Sequence, residues 1–94
     1  MNISKMNYGK YSSDNYGYHT IRITIGDIDL YFSYDTVVAF NTPATGLKVR
    51  QNDWSTTTGK HLNWIDNGNK RERLSSDEFV CLLTETLNKR QIVV

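Results

Sequence analysis

The chain has 94 residues, of which 38% are hydrophobic, and its 11 Lys plus Arg nearly balance 10 Asp plus Glu. This length suits one domain, since independent domains usually run to roughly 100–150 residues. No apolar run approaches the roughly 20 residues that a membrane span needs, so no membrane role is predicted. The first residues lack the apolar stretch of a secretion signal, and the lone Cys81 cannot form an internal disulfide. Both features predict a location in a reducing cytoplasm.

The first 17 residues are predicted to form an irregular or short-stranded arm. Four tyrosines lie in or just after it, in a stretch rich in Gly, Ser, Asn and Asp: Tyr8, Tyr11, Tyr16 and Tyr18. Tyrosine combines apolar area with a polar tip, so these rings either pack on the sheet or form a contact surface. The sequence leaves both interpretations open.

A β-hairpin follows the arm, with two alternating segments on either side of Gly26-Asp27. A two-residue loop that contains glycine favours a tight I′ or II′ turn. Pairing Ile25 with Ile28 places six apolar side chains on one face: Ile21, Ile23, Ile25, Ile28, Leu30 and Phe32. The other face then carries Arg22, Thr24, Asp29 and Tyr31. A slip of one residue would scatter the apolar set, so the register is well specified.

Two more strands complete the predicted sheet. The segment Thr36–Phe40 is rich in β-branched and apolar residues, and 41–46 holds the only proline, as expected for a turn. The segment Leu47–Gln51 alternates, with Leu47 and Val49 expected to point inward. The four strands form an antiparallel meander over residues 18–51, and its apolar face needs a cover.

A C-terminal helix is predicted to supply that cover, from about Ser76 to Lys89 within residues 75–90. Ser75 and Glu78 have the spacing of a capping box. Lys89 and Arg90 lie at the end where the helix dipole favours cations. An apolar stripe of helical period connects the two ends: Phe79, Leu82, Leu83, Thr86 and Leu87.

A second, shorter helix is predicted at Thr58–Asp66, within residues 56–67. Threonines before it offer N-caps, and Asn67-Gly68 is a usual helix stop. Between the helices, Lys70–Arg73 is expected to form a turn or a short edge strand. The prediction is therefore one α+β domain over residues 1–94, with a four-stranded antiparallel meander, a C-terminal amphipathic helix on one face and a second short helix.

The most polar and least regular part of the chain is Asn52–Asn63. The turn Thr57–His61 lies near a helix N-terminus, where outward-pointing N–H groups favour a small anion or a nucleotide. A Walker-type phosphate loop is absent, because Trp54 stands where that motif needs a glycine and His61 replaces its Ser or Thr. The competing interpretation is a capped helix whose threonines serve the backbone alone.

No catalytic residue, metal site or cofactor site is predicted. The only histidines, His19 and His61, have no neighbours at ligand spacing. Cys81 is expected to be a partly buried structural thiol, since no His-plus-carboxylate pair is indicated beside it. Asp27 and Asp29 bracket a turn rather than forming an acid–base couple. The sequence therefore favours a protein that is not an enzyme.

Basic charge is concentrated in residues 48–73, where six basic groups face three acidic ones. The six are candidate phosphate contacts: Lys48, Arg50, Lys60, Lys70, Arg71 and Arg73. Nucleic-acid-binding domains usually show a stronger surplus, so a solvated surface of mixed charge is the other interpretation.

Two segments carry the pattern Y-x-T-V-V-A-F followed by N-x-W-x-x-T-T-G-K-H-L-N. The first matches at Tyr34, Thr36, Val37, Ala39 and Phe40, and the second at Asn52, Trp54, Thr57, Thr58, Gly59, Lys60, His61, Leu62 and Asn63. This pattern resembles a small family of uncharacterised proteins encoded by bacteriophages and related mobile elements. The resemblance implies a phage-type accessory protein in the cytoplasm of a bacterial host, and it transfers no activity. It also favours a role for Asn52–Asn63 beyond capping.

The sequence thus predicts a small non-enzymatic protein that binds and modulates a host or defence protein. Its candidate contact residues are Tyr31, Trp54, Thr57, Thr58, Lys60 and His61. One alternative is a nucleic-acid-binding accessory protein that uses residues 48–73, and another is a nucleotide or small-anion binder at Thr57–His61. A homodimer is left open, through the polar sheet face or through the edge strand Leu47–Gln51.

Overall fold

The structure, a computed structural model, describes residues 3–9, 20–54 and 56–91, with the backbone alone at Thr56. The predictions for Tyr11, Tyr16, Tyr18 and His19 lie outside the described residues. Within these ranges the elements are β1 Ile3–Asn7, β2 Thr20–Ile25, β3 Ile28–Ser33, β4 Thr36–Thr42, β5 Gly46–Val49, α1 Thr56–Asp66, a 3₁₀ turn Lys70–Glu72 and α2 Ser76–Lys89. None of the described helices is long and apolar enough to cross a membrane.

The sheet has five antiparallel strands in the order β1-β2-β3-β4-β5, so the predicted number of four is wrong. The additional strand is β1, which lies in the segment predicted as an arm and pairs Ile3 with Ile25 and Asn7 with Ile21. All five of its residues are exposed. An edge strand without a buried face has no apolar alternation, so the pattern that reveals β2 and β3 is missing there.

The β2–β3 hairpin has the predicted register, with Ile25 opposite Ile28 and Ile21 opposite Phe32. Gly26 takes a φ of +60° in the turn, a left-handed conformation that glycine adopts at little cost. The six apolar residues of the hairpin therefore share one face. Their alternation fixes the register, because a slip of one residue would move them to the other face of the sheet.

Each face of the sheet carries a buried cluster, and one helix packs on each cluster. The register between β3 and β4 shifts after Tyr31, which pairs with Ala39, while Phe32 pairs with Val37. Val38 is therefore an extra residue in β4, and such a bulge changes which side chains face each side. The sheet face that the sequence left open for self-association holds a second buried cluster: Val38, Ala39, Val49 and Leu62.

The helix α1 covers this second face. Its Leu62 is fully buried, and Ile65 and Tyr31 pack against the same cluster. The helix ends where Asn67 and Gly68 take φ values of 55° and 79°, which is the expected left-handed stop. The polar sheet face proposed for self-association is thus occupied by α1 at Tyr31.

The helix α2 covers the first face and has the predicted bounds, Ser76–Lys89. Its cap is the predicted one, since Ser75 Oγ accepts a hydrogen bond from the Glu78 backbone N–H at 3.3 Å. The ring of Phe79 lies 5.6 Å from that of Phe40. The buried members of this cluster are Ile28, Leu30, Phe40, Phe79 and Leu87.

Two predictions of burial are wrong. Leu47 has the same parity in β5 as the buried Val49 and lines a cavity with it and Ile65, but it is 40% exposed. Cys81 is exposed instead of partly buried. Its position in α2 follows Phe79 by two residues, about 200° around the helix, which turns the thiol away from the sheet.

Candidate binding site

A buried hydrogen-bonded cluster joins β3 to α1. Ser33 Oγ donates to Thr58 Oγ1 at 3.3 Å and lies 2.6 Å from His61 Nδ1. A serine hydroxyl has a single proton, so in this arrangement the Nδ1–H of His61 donates to Ser33. All three side chains are buried.

The local fold explains this cluster. Thr58 and His61 are three positions apart in α1, so they lie on the same side of the helix as the buried Leu62. Ser33 is the last residue of β3 and has the same parity as Tyr31, which also faces α1. Sequence patterns identified Thr58 and His61 but missed Ser33, because strand alternation alone does not distinguish a buried serine from an exposed one.

This burial changes the role of two predicted contact residues. His61 is fully buried and Thr58 is only 5% exposed. They therefore support the residues at the surface and do not themselves form a contact surface. The Ser33–His61 pair resembles a nucleophile beside a base, but the Ser33 hydroxyl donates its proton to Thr58 and is itself buried. The cluster therefore holds α1 on the sheet.

A cavity of about 250 Å³ opens beside this cluster, and we call it the aromatic cavity. Its rim includes Tyr34 and Trp54, which are 47% and 45% exposed. The ring of Tyr34 also lies 5.6 Å from that of the buried His61. The full lining is Ser33, Tyr34, Asp35, Thr36, Val38, Trp54 and Thr58.

The backbone of Tyr34 is in an unfavourable conformation. Its φ is 58°, in the left-handed region that bulky side chains rarely adopt. Such a conformation costs about 1–3 kcal/mol and is retained where the surrounding structure imposes it. Here the two-residue turn between β3 and β4 imposes it, and the result is an aromatic ring held at the rim of the aromatic cavity.

Trp54 is held at the same rim by contacts on two sides. The Arg50 guanidinium lies over its ring, 4.6 Å from the centroid, and Asn52 Oδ1 accepts from the Trp54 backbone N–H at 3.0 Å. Arg50 is itself fixed by donating to Ser76 Oγ at 2.8 Å. The indole is thus exposed but well positioned.

Asp53 connects the loop that carries Trp54 to the first residue of α2, Ser76. It accepts hydrogen bonds from Ser76 Oγ and, at 3.0 Å, from Gln51 Nε2. The bond from Ser76, followed by that from Gln51, holds the pKa of Asp53 below its ordinary value. The loop before α1 is therefore connected to the start of α2.

A second cavity, of about 440 Å³, lies on the outer side of α1, and we call it the basic cavity. Both Lys60 and Lys70 line it and are exposed. A Cβ at Gly59 would stand 3.0 Å from Asn52 Nδ2, so the glycine gives the amide room to lie against the helix. The complete lining is Gln51, Asn52, Gly59, Lys60, Asn63, Lys70 and Arg73.

Arg73 lines the basic cavity and forms an ion pair with Asp66. Its Nε and Nη2 donate to the two carboxylate oxygens of Asp66 at 2.8 and 3.0 Å. The side chains of Arg73 and Asp66 are only 5% and 8% exposed. Nη2 also donates to Asn63 Oδ1 at 3.0 Å. The positive charge of Arg73 is therefore balanced by Asp66. The excess positive charge of the basic cavity comes from Lys60 and Lys70.

A third cavity, of about 520 Å³, adjoins the basic cavity. It shares Lys60 and Asn63 with it, and the remaining lining is Trp64, Asn67 and Gly68. Trp64 is 41% exposed. We call this the tryptophan cavity. The sequence patterns did not identify Trp64 as a site residue.

The predicted basic residues are divided between the two sides of the sheet. Lys48 pairs with Phe40 and Arg50 lies 5.4 Å from the Phe79 ring, which places both on the α2 side. Lys60 and Lys70 lie beside α1, with Arg73 paired to Asp66. Arg71 is exposed in the 3₁₀ turn. The structure thus brings together Lys60 and Lys70.

The residues predicted to contact a partner also differ in their exposure. Trp54 and Lys60 are exposed and Thr57 is half-buried. Tyr31 is half-buried, with the Tyr8 ring 5.5 Å away. Tyr8 also donates from its hydroxyl to the Phe32 carbonyl at 2.7 Å, so this ring of the arm packs on the sheet. Among the described residues, no cluster of His, Cys, Asp or Glu could hold a metal ion.

Comparison with known proteins gives a family and no activity. Residues 1–80 match the sequence model of a family described as Family of unknown function (DUF8033). This match covers most of the chain, so the protein belongs to that family. No curated protein and no solved structure matches the chain.

Proposed function

We propose that this member of the family is a small non-enzymatic accessory protein of phage type that binds and modulates a host or defence protein. The observation that carries the proposal is the aromatic cavity, with Tyr34 and Trp54 exposed at one rim. Tyrosine and tryptophan are enriched where proteins bind each other and supply most binding hot spots. The phage-type assignment rests on the sequence resemblance.

The positioning of both rings supports this proposal. Trp54 is stacked by Arg50, and the Tyr34 ring lies 5.6 Å from the ring of the buried His61, so neither ring loses much freedom when a partner binds. Preorganisation of this kind raises affinity because less side-chain entropy is lost on association. A cavity of about 250 Å³ has room for one side chain of a partner.

The charge of the rim indicates what that side chain is. Among the described residues that line the cavity, Asp35 alone is charged, and it follows Tyr34 in the chain. Aromatic faces and a carboxylate together favour a cation, above all the planar guanidinium of arginine. We therefore propose that the partner inserts a basic side chain between Tyr34 and Trp54, with Asp35 as its counter-charge.

The first experiment is an affinity capture from a nuclease-treated bacterial lysate, followed by calorimetry with the purified partner. We expect Trp54→Ala to weaken binding about thirtyfold or more, the loss of roughly 2 kcal/mol that defines a hot spot. Tyr34→Asn removes the second ring while asparagine tolerates the left-handed backbone, so this variant keeps the turn. Asp35→Asn should weaken binding and reduce its salt dependence.

The matched control is Val80→Ala, since Val80 is 49% exposed on α2 and is not part of the lining of the aromatic cavity. This variant should bind like the wild type. Unchanged affinity of the Trp54 and Tyr34 variants would contradict the proposed surface. Loss of the captured protein on nuclease treatment would contradict direct protein binding.

A further inference from the structure

The basic cavity and the tryptophan cavity adjoin along α1, and together they have the chemistry of a nucleotide site. Lys60 and Asn63 line both cavities, with Lys70 on one side and Trp64 on the other. From this juxtaposition we propose that the outer side of α1 binds a nucleoside phosphate unit. The phosphate lies between Lys60 and Lys70, and the base stacks on Trp64.

The spacing on α1 supports this arrangement. Lys60 and Trp64 are four residues apart, so they lie on the same side of the helix with a separation of about 6 Å along its axis. This separation is comparable with that between the phosphate and the base of one nucleotide. One ligand can therefore reach both the ammonium group and the indole.

The polar groups in the basic cavity favour an anion. Asp66, the neighbouring carboxylate, is already paired with Arg73, so the charges of Lys60 and Lys70 are not offset by it. Arg73 also donates a hydrogen bond to the side-chain oxygen of Asn63. The amide nitrogen of Asn63, which is a donor, is therefore the atom that can bind a ligand. Two ammonium groups and a side-chain amide are typical contacts for phosphate oxygens.

Trp64 supplies the part of the site that is specific for a base. Its indole is 41% exposed at the wall shared with Lys60. Stacking on an aromatic ring contributes about 1–3 kcal/mol per base, and every base has a face that can stack. This site is separate from the aromatic cavity, so it stands whether or not the proposed protein partner exists.

Tryptophan fluorescence in a Trp54→Phe background tests the proposal, because the chain has two tryptophans and Trp64 is then the one that remains. The probes are a short oligothymidylate, thymidine monophosphate and inorganic phosphate. We expect the first two to quench Trp64. Tighter binding of the oligonucleotide identifies a single strand as the source of the nucleotide unit, and equal binding identifies a free nucleotide.

Salt dependence and charge variants test the two lysines. One phosphate neutralised on a single strand predicts an affinity that falls about 2.6-fold between 50 and 200 mM salt. The double variant Lys60→Gln, Lys70→Gln should bind about tenfold more weakly and lose most of that dependence. The matched control, Lys5→Gln with Lys89→Gln, removes the same charge from β1 and from the end of α2. It should bind like the parent protein.

Trp64 variants test the stacking by anisotropy of a labelled oligonucleotide in the otherwise unchanged protein. Trp64→Ala should weaken binding about tenfold, and Trp64→Phe should restore most of it. Circular dichroism melting of each variant verifies the fold. The proposal is overturned if no probe quenches Trp64 at millimolar concentration, if the control double variant loses as much affinity as the test variant, or if oligoglutamate binds as tightly as the oligonucleotide.

Discussion

Ser33 and His61 are 28 positions apart in the sequence, yet Ser33 Oγ lies 2.6 Å from His61 Nδ1 in the interior. This hydrogen bond connects the last residue of β3 to the middle of α1. It lies beneath the aromatic cavity, whose lining includes Ser33 and Thr58. The position of α1 on the sheet, and with it the shape of the cavity, depends on this polar contact.

Ser33→Ala should therefore destabilise the protein. The substitution removes the acceptor of the buried His61 N–H, and leaving a buried polar group without its partner costs about 1–3 kcal/mol. Urea unfolding followed by circular dichroism measures the change. The control is Ser4→Ala on the exposed β1, which should change stability by less than about 0.5 kcal/mol. Equal midpoints for Ser33→Ala and the wild type would contradict a stabilising role of this bond.

The buried ion pair Asp66–Arg73 should be costly to break. Asp66→Asn keeps an oxygen that can accept from the Gly68 N–H, so it removes the charge and retains the helix stop. We expect a loss of about 3–5 kcal/mol, because Arg73 is left buried without a counter-charge. Glu85→Gln breaks the exposed pair with Lys89 and should cost less than about 1 kcal/mol. Urea unfolding compares the two, and similar small losses would contradict the prediction.

The sequence was most informative where burial is periodic. The hairpin register follows from the alternation that ends at Ile25 and Ile28, and the bounds of α2 follow from Ser75 and the apolar stripe. These signals are local, and each depends on one side of an element facing the core. The same reasoning predicted only an irregular or short-stranded arm where β1 joins the sheet, because Ile3 and Met6 are exposed and β1 has no buried face.

The candidate sites could be predicted only in part. Trp54 and Lys60 were predicted as contact residues. Tyr34 was only part of the family pattern and Trp64 was in neither set, and the structure places both in the lining of a cavity. Their exposure depends on how the β3–β4 turn and α1 are placed against neighbours distant in sequence. The burial of both sheet faces was missed for a similar reason, since the extra residue Val38 places two neighbouring side chains in one cluster.

Neighbouring residues of α2 should differ sharply in their contribution to stability. Phe79 is fully buried against Phe40, whereas Val80 is 49% exposed. Phe79→Ala should cost about 3–5 kcal/mol, from lost burial and the cavity left behind. Val80→Ala should cost less than about 1 kcal/mol, since alanine is the better helix former. Urea unfolding measures both changes, and a small loss for Phe79→Ala would contradict its position in the core.

Acid should weaken the contact between the β2–β3 turn and the end of α2. Arg90 Nε donates to Asp27 Oδ1 at 2.8 Å, and this hydrogen bond, followed by the charge of Arg90, holds the pKa of Asp27 below its ordinary value. A carboxyl group whose pKa is lowered on folding stabilises the native state above its unfolded pKa of about 3.9, and this contribution is lost as pH falls through the lower, folded value. The same sign applies to Asp53, whose pKa the Ser76 hydrogen bond lowers.

Asp27→Asn should therefore lower stability at neutral pH and reduce the decrease in stability on acidification. The measurement is the urea midpoint as a function of pH, from neutral pH to below the unfolded Asp pKa of about 3.9. Glu72→Gln is the control, because it removes an exposed carboxylate from the 3₁₀ turn and leaves the Asp27–Arg90 pair intact. If the Asp27→Asn protein loses stability with acid as steeply as the wild type does, the ion pair does not contribute to the acid sensitivity of the fold.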